Sequence, residues 1–265
     1  MTEDNKTPAE QQEEQHGFEV IEPGQDRHGA RHKGVYLLPN LITTAALFAG
    51  FYAIVAAMNG MFGHAAIAIL VAGILDGMDG SVARMTNTQS RFGAEYDSLS
   101  DCVAFGVAPG LVAYSWGLSE LGNLGWAAAF IYLACAALRL ARFNVQAASS
   151  DKRFFTGLPS PSGAGLVATL VWLGASREID GNDISYLVAF FTAGAGLLMV
   201  SSIRYNSFKE FSIGRVPFRM LLGVIVAFAI VFLDPPLVLL TVAVAYVASG
   251  PLQTLWQLRK RRAST

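Results

Sequence analysis

Long apolar blocks fill most of the chain between residues 36 and 257. A helix needs about 20 predominantly apolar residues to cross a hydrocarbon core of about 30 Å. Eight blocks of roughly that length can be distinguished, at 36–58, 64–84, 97–117, 124–145, 160–176, 184–203, 218–234 and 236–257. The fifth and the seventh are the shortest and weakest. The pattern predicts an all-α fold, a polytopic membrane helical bundle of about eight transmembrane helices.

Composition agrees with a membrane environment. Hydrophobic residues make up 53% of the chain and charged residues only 15%, whereas soluble domains carry about 25% charged residues. The two cysteines, Cys102 and Cys135, both lie inside apolar blocks, where cysteine behaves as a small hydrophobic residue. Neither a disulfide nor a cysteine metal site is indicated.

The basic residues are distributed asymmetrically between the loops. With the N-terminus inside, only Arg177 of the 19 Lys and Arg residues falls on the outer side. Lys and Arg collect in cytoplasmic loops, so both termini are expected in the cytoplasm and the protein in the cell (inner) membrane. The same basic rim also suits anionic lipid headgroups and phosphate-bearing substrates. Orientation alone explains most of the pattern, and no nucleic-acid signature is present.

The polar termini frame a single predicted domain. Residues 1–33 are rich in Glu and Gln and lack the apolar run of a signal peptide. They are expected to form a disordered polar cytoplasmic tail. Residues 34–258 form the membrane domain, and 259–265 form a basic cytoplasmic tail.

Two pairs of carboxylates interrupt the apolar pattern. Asp76 and Asp79 lie near the end of the second block, and Asp97 and Asp101 lie at the start of the third. A charged side chain costs roughly 2.5–3.5 kcal/mol at mid-membrane, so an acid in such a segment indicates function. Each pair is spaced to share one helix face, and the short connecting loop makes the two helices antiparallel neighbours.

Four converging carboxylates repel each other unless positive charge offsets them. Divalent cations with oxygen ligands, Mg²⁺ or Mn²⁺, provide that charge. Helix capping could explain one acid but not the set, because Asp76 and Asp79 come at a helix C-terminus, where the macrodipole disfavours acids. The sequence therefore predicts a metal site at Asp76, Asp79, Asp97 and Asp101.

Small residues are interleaved with the acids, including Gly77, Gly80, Ala83 and Gly93. Glycine inside a helix costs about 1 kcal/mol relative to alanine. Room for a substrate against the backbone would explain that cost. Close helix packing through small residues is common in membranes and explains it equally well. Both interpretations remain open for each glycine.

The acids and small residues together spell a known signature. The sequence Asp76-x2-Asp79-Gly80-x2-Ala83-Arg84-x8-Gly93-x3-Asp97-x3-Asp101 resembles, at every fixed position, the motif of the CDP-alcohol phosphotransferase family. The resemblance implies that Asp76, Asp79 and Asp97 bind a pair of divalent ions. It also implies that Asp101 acts as general base beside those ions. Gly80, Ala83, Arg84 and Gly93 would then form the pocket for the CDP-lipid.

Further segments resemble the phosphatidylserine synthase branch of this family. They are residues 36–43, 101–109, 138–144 and 157–161. This resemblance adds Asn40 and Thr43 to the expected CDP-lipid residues. Arg139, Arg142 and Asn144 are expected to bind the acceptor, although membrane anchoring explains either arginine equally well.

The resemblance implies a phospholipid biosynthesis enzyme that transfers a phosphatidyl group from CDP-diacylglycerol to L-serine, releasing CMP. A homodimer in the lipid bilayer is expected, because similar family members commonly dimerise. One alternative keeps the chemistry but uses glycerol 3-phosphate, an inositol compound or another alcohol. A second is a cation-coupled transporter, which would place its acids near the bilayer midplane in repeated halves. Here the acids lie near one face, and no repeat is visible.

Overall fold

The structure is a computed structural model that describes residues 37–86, 88, 90–148, 157–203, 205 and 218–263. Within these ranges the chain is helical and contains no strand. The main helical segments are α1 (Leu37–Met58), α2 (Phe62–Thr86), α3 (Arg91–Leu121), α4 (Asn123–Ala148), α5 (Ser160–Ser176), α6 (Ser185–Val200), α7 (Phe218–Leu233) and α8 (Pro235–Ala263). Each predicted apolar block coincides with one of them, which confirms the all-α class.

Six of these segments are long and apolar enough to cross a membrane, in the part of the chain that the structure describes. The two that fall short are α5 with 17 residues and α7 with 16. At 1.5 Å per residue they are roughly 25 Å long, whereas the hydrocarbon core is about 30 Å thick. The count of eight spans and the cytoplasmic placement of both termini stay predictions. The predicted tail at 1–33 lies outside the described residues, and α8 continues to Ala263, past the predicted boundary at 258.

Helix α3 changes its hydrogen-bonding pattern along its length. It begins as an α-helix and widens to π-type turns at Cys102–Val107 and again at Tyr114–Leu118. Pro109 has no backbone N–H to donate to the carbonyl of Phe105, four residues earlier. The hydroxyl of the fully buried Tyr132 on α4 donates to that carbonyl at 2.9 Å. The proline therefore removes a bond that α4 replaces, and this fixes α4 against α3.

Small residues let α1, α2 and α3 approach closely. Ala53 and Ala56 on α1 are fully buried, as are Ala65 and Ala66 on α2. A Cβ atom added to Gly50 on α1 would lie only 2.8 Å from the Cα atom of Ala104 on α3. Backbones this close need glycine or alanine at the contact, as is usual for helices packed in membranes. The three helices that carry the predicted site are thus held together by their least bulky residues.

Candidate active site

The four aspartates lie on the two helices that the sequence predicts. Asp76 and Asp79 are in the last three turns of α2, and Asp97 and Asp101 are in the first three turns of α3. The start of α3 is fixed by Ser90, whose Oγ atom accepts a hydrogen bond from the backbone N–H of Gly93 at 2.9 Å. This serine cap satisfies one of the unpaired donors at the helix start and fixes the residue at which α3 begins.

Three of the four carboxylates come together directly. One oxygen from each of Asp76, Asp97 and Asp101 lies within 4.8 Å of the others, the only such group of metal-binding side chains among the described residues. The Oδ1 atom of Asp97 is buried without a hydrogen-bond partner. A buried oxygen with no partner is destabilising, and a cation would satisfy it. The residues therefore fit a hard divalent ion, which prefers carboxylate ligands.

The fourth aspartate, Asp79, is held separately. Its side chain is only 5% exposed, and its Oδ2 atom accepts a hydrogen bond of 2.7 Å from the hydroxyl of Thr43 on α1. Asp79 and Asp97 both line a cavity of about 250 Å³ beside the three-carboxylate group. Asp79 therefore lies next to the three-carboxylate group but contributes no oxygen to it.

The cavity brings together every residue that the sequence predicts to bind the CDP-lipid. They are Asn40, Thr43, Gly80, Ala83, Arg84 and Gly93. Arg84 is exposed, and its Nη2 atom donates to the Oγ atom of Ser81 at 3.3 Å. A Cβ atom on Gly93 would lie 3.1 Å from Ser90 Oγ and 3.2 Å from Asn40 Oδ1. Gly93 therefore has a packing role between α1 and α3, whatever it also does for a substrate.

The three predicted acceptor residues contact different elements. Asn144 donates from Nδ2 to the Oγ atom of Ser98 at 3.0 Å, one residue beyond Asp97. Arg139 donates from Nε to Ser160 Oγ at 3.1 Å, and Arg142 donates from Nη1 to the Val200 carbonyl at 3.3 Å. Asn144 therefore lies against the aspartate-bearing helix α3, whereas the two arginines reach α5 and α6. Their role in acceptor binding stays a prediction.

Several hydroxyl groups support the aspartates without having been predicted to do so. Ser98 and Ser100 lie between Asp97 and Asp101, and Ser100 donates to the carbonyl of Thr43 at 3.2 Å. Ser160 contacts a predicted acceptor residue instead, because its Oγ atom accepts the hydrogen bond from Arg139 Nε. The available signal was a serine inside an otherwise apolar segment. Residue spacing gives no indication of which carbonyl or side chain such a serine reaches.

A second, larger cavity of about 590 Å³ lies at the opposite end of the bundle. It opens between the α1–α2 turn and the loop that joins α5 to α6, and its lining includes His64, Trp116 and Trp172. None of the four aspartates borders it. The smaller cavity is the better candidate for a reaction site because the charged and unpaired groups converge there.

Comparisons with known proteins agree with this geometry. Residues 36–200 match the family model described as CDP-alcohol phosphatidyltransferase. The CDP-diacylglycerol–serine O-phosphatidyltransferase of Helicobacter pylori is 39% identical over 202 residues, covering 76% of this chain and 84% of the relative. The Mycobacterium tuberculosis protein of the same name is 35% identical over 233 residues, covering 84% and 80%. The Bacillus subtilis protein of that name is 35% identical over 173 residues, covering 65% and 92%.

Replacing Asp97 with Asn tests whether the cluster binds a cation. The change keeps the shape of the side chain but removes its charge, so Mn²⁺ binding to purified protein should weaken by at least the roughly 10–100-fold seen when metal-site support is lost. Electron paramagnetic resonance titration with Mn²⁺ measures it directly. Asp180→Asn, in the loop at the opposite end of the bundle, should bind Mn²⁺ as wild type does. Equal binding by Asp97→Asn and wild type would contradict the cation site.

Proposed function

The chain belongs to the CDP-alcohol phosphatidyltransferase family, and on that basis we propose that it transfers a phosphatidyl group from CDP-diacylglycerol to L-serine. The products are phosphatidylserine and CMP. The observation that carries the proposal is the juxtaposition of Asp76, Asp97 and Asp101 with the adjoining cavity, which all the expected CDP-lipid residues line. The names of these relatives support serine as the acceptor.

The aspartates are proposed to hold the divalent ions. Asp76, Asp97 and Asp101 supply the close group of oxygens, and Asp79 supplies a further carboxylate at the cavity wall. Bound Mg²⁺ or Mn²⁺ would offset the charge of the pyrophosphate and of the departing CMP. Bound cations would explain why so many carboxylates lie together at a site whose substrate is itself an anion.

The cavity is proposed to take the CDP end of the lipid. Gly80 and Ala83 add little bulk to its wall, which leaves room for the nucleotide. Arg84 is exposed at the same wall, and its planar guanidinium can donate two parallel hydrogen bonds to a phosphate. The acyl chains would then lie in the bilayer beside α1 and α2, whose outer faces carry exposed apolar side chains such as Phe48 and Ile74.

Asp101 is proposed as the general base. It follows Asp97 by one helical turn, and its carboxylate belongs to the same close group of oxygens. Cations bound beside it would keep it ionised, and it would then take the proton of the serine hydroxyl. The hydroxyl oxygen attacks the phosphatidyl phosphorus and forms the new P–O bond. The bond from that phosphorus to the oxygen of CMP breaks, and CMP leaves with the electron pair. Proton removal and charge stabilisation act together, since neither alone activates a serine hydroxyl sufficiently.

The acceptor is proposed to bind near the end of α4. Asn144 lies against Ser98 on α3, beside the aspartates, and can position a small polar acceptor there. Arg139 and Arg142 are one turn apart and offer positive charge to the carboxylate of serine. The bond from Arg139 Nε to the buried Ser160 fixes the guanidinium of Arg139. We place this site on the cytoplasmic side of the membrane, where the basic loops lie. We also propose that the protein is a homodimer.

Acceptor selectivity tests the proposed reaction most directly. Purified protein with CDP-diacylglycerol and Mn²⁺ should incorporate radiolabelled serine into lipid and release CMP in equal amounts. Inositol and ethanolamine should be poor substitutes, because an acceptor without an anionic group leaves the arginines of such a site unpaired. Glycerol 3-phosphate should also be a poor substitute, because its phosphate differs from a carboxylate in size, shape and charge. Release of CMP only with one of these other alcohols would keep the family chemistry and overturn serine as the acceptor.

Asp101→Asn separates proton removal from substrate binding. The variant should bind CDP-diacylglycerol nearly as well as wild type, while kcat falls by the roughly 10²–10⁴-fold typical of a lost general base. Steady-state kinetics and a lipid-nucleotide binding assay give the two quantities. Loss of nucleotide and Mn²⁺ binding together would instead make Asp101 primarily a ligand and leave the base to be found elsewhere.

Arg139→Ala tests the acceptor site. The KM for serine should rise by about 10-fold or more, while the KM for CDP-diacylglycerol changes little, because only the acceptor loses a charged hydrogen bond. Arg139→Lys keeps the charge and should recover part of the loss. Equal increases in both KM values would indicate that Arg139 anchors its helix at the membrane surface and does not bind the acceptor. The same comparison with Arg142→Ala tests Arg142.

A further inference from the structure

Thr43 on α1 contacts both aspartate-bearing helices at once. Its Oγ1 atom lies 2.7 Å from Oδ2 of Asp79 on α2. Its backbone carbonyl accepts a hydrogen bond of 3.2 Å from the hydroxyl of Ser100 on α3, the residue before Asp101. Thr43, Asp79 and Ser100 are 4%, 5% and 3% exposed. One buried residue therefore joins the three helices of the site.

The direction of the hydrogen bond to Asp79 follows from the acceptors within reach. A threonine hydroxyl has one proton to donate. Two acceptors are available to it, Asp79 Oδ2 at 2.7 Å and the Pro39 carbonyl oxygen at 3.1 Å. Hydrogen bonds to a charged acceptor are shorter and roughly twice as strong as neutral ones. Thr43 is therefore the donor to the Asp79 carboxylate.

The geometry points to Thr43 as a positioning residue for the cation site. By donating to Oδ2, it fixes the rotation of the Asp79 carboxylate, so that the carboxylate is already oriented when it binds a divalent cation. Thr43 acts through Asp79 and contacts no reacting atom itself. The inference rests on the proposed function to the extent that Asp79 is taken there as a cation ligand.

Asp79 needs such support more than the other aspartates do. Asp76, Asp97 and Asp101 have oxygens within 4.8 Å of one another, whereas Asp79 is outside that group in the described structure. A carboxylate free to rotate must lose that freedom when it binds an ion, and a preformed hydrogen bond removes part of this cost. Partners that hold metal ligands in this way typically contribute 10–100-fold to metal affinity.

This role differs from the one that the sequence predicts for Thr43. The resemblance places Thr43 among the CDP-lipid residues, and the residue does border the cavity. With a side chain 4% exposed, however, it offers little surface to a nucleotide. Its neighbour Thr44 is exposed, and the Thr44 hydroxyl lies 2.9 Å from the Tyr96 hydroxyl. Among the described residues, it makes no hydrogen bond to any of the four site aspartates. Thr44 therefore provides a matched control one residue away.

The test is a titration of the full-length protein in detergent with Mn²⁺, in which electron paramagnetic resonance measures the binding. Thr43→Val keeps the shape of the side chain and removes the hydroxyl, so its Mn²⁺ affinity should fall by about 10–100-fold. Thr43→Ser keeps the hydroxyl and should stay within a few-fold of wild type. Thr44→Val should bind Mn²⁺ as wild type does. If Thr43→Val does not fold, Thr43→Ala removes the same hydroxyl with less bulk and gives the same comparison.

Two results would overturn the inference while leaving the proposed function intact. One is wild-type Mn²⁺ affinity in the variant that lacks the hydroxyl. The other is an equal loss in Thr43→Val and Thr43→Ser, which would trace the effect to packing and not to the hydroxyl. A wild-type protein that binds no Mn²⁺ at all would instead contradict the cation site and with it both proposals.

Discussion

The concentration of negative charge at one end of the bundle is the constraint on which the site depends. Three carboxylates have oxygens within 4.8 Å of each other, and Asp79 adds a fourth at the wall of the adjoining cavity. Such a group repels itself, and burial removes the water that would weaken the repulsion. The proposed divalent cations would offset this repulsion, and they would also offset the charge of a substrate that carries a pyrophosphate.

The surrounding helices make that concentration possible. Small residues let α1, α2 and α3 approach closely, with Gly50 lying against the backbone of Ala104. The Ser90 cap fixes the start of α3, and the hydroxyls of Thr43 and Ser100 join the three helices beside the aspartates. Tyr132 replaces a hydrogen bond that Pro109 cannot make, so α4 is fixed against the same helix. Packing and hydrogen bonding thus hold the aspartates in place.

The sequence predicts the helices and the aspartates well because both depend on local rules. The length of an apolar block predicts a helix, and spacings of three and four place two acids on one face. Resemblance supplies the six residues expected to bind the CDP-lipid, four from the family motif and Asn40 and Thr43 from residues 36–43, and all six line one cavity in the structure. The motif runs from the end of α2 into the start of α3. The short loop between the two helices therefore brings most of the six residues together.

Contacts between residues distant in sequence could not be predicted in the same way. Thr43 and Asp79 are 36 positions apart, and Ser98 and Asn144 are 46 apart. The pairing of such residues depends on the rotation of one helix against another, which apolar periodicity leaves undetermined when a helix is hydrophobic on most of its faces. Thr43 is an example. The resemblance assigns it to the nucleotide pocket, and the structure adds that its hydroxyl donates a hydrogen bond to Asp79.

The central claim is that Asp76, Asp79, Asp97 and Asp101 together hold divalent cations. A structure of the protein with Mn²⁺ tests this claim most directly. Anomalous scattering from crystals grown with Mn²⁺ should give peaks bordered by Asp76, Asp97 and Asp101, at the roughly 2.0–2.6 Å from carboxylate oxygens typical of such ions. Saturating Mn²⁺ with no peak between these side chains, or with the ion bound elsewhere in the protein, would contradict the account.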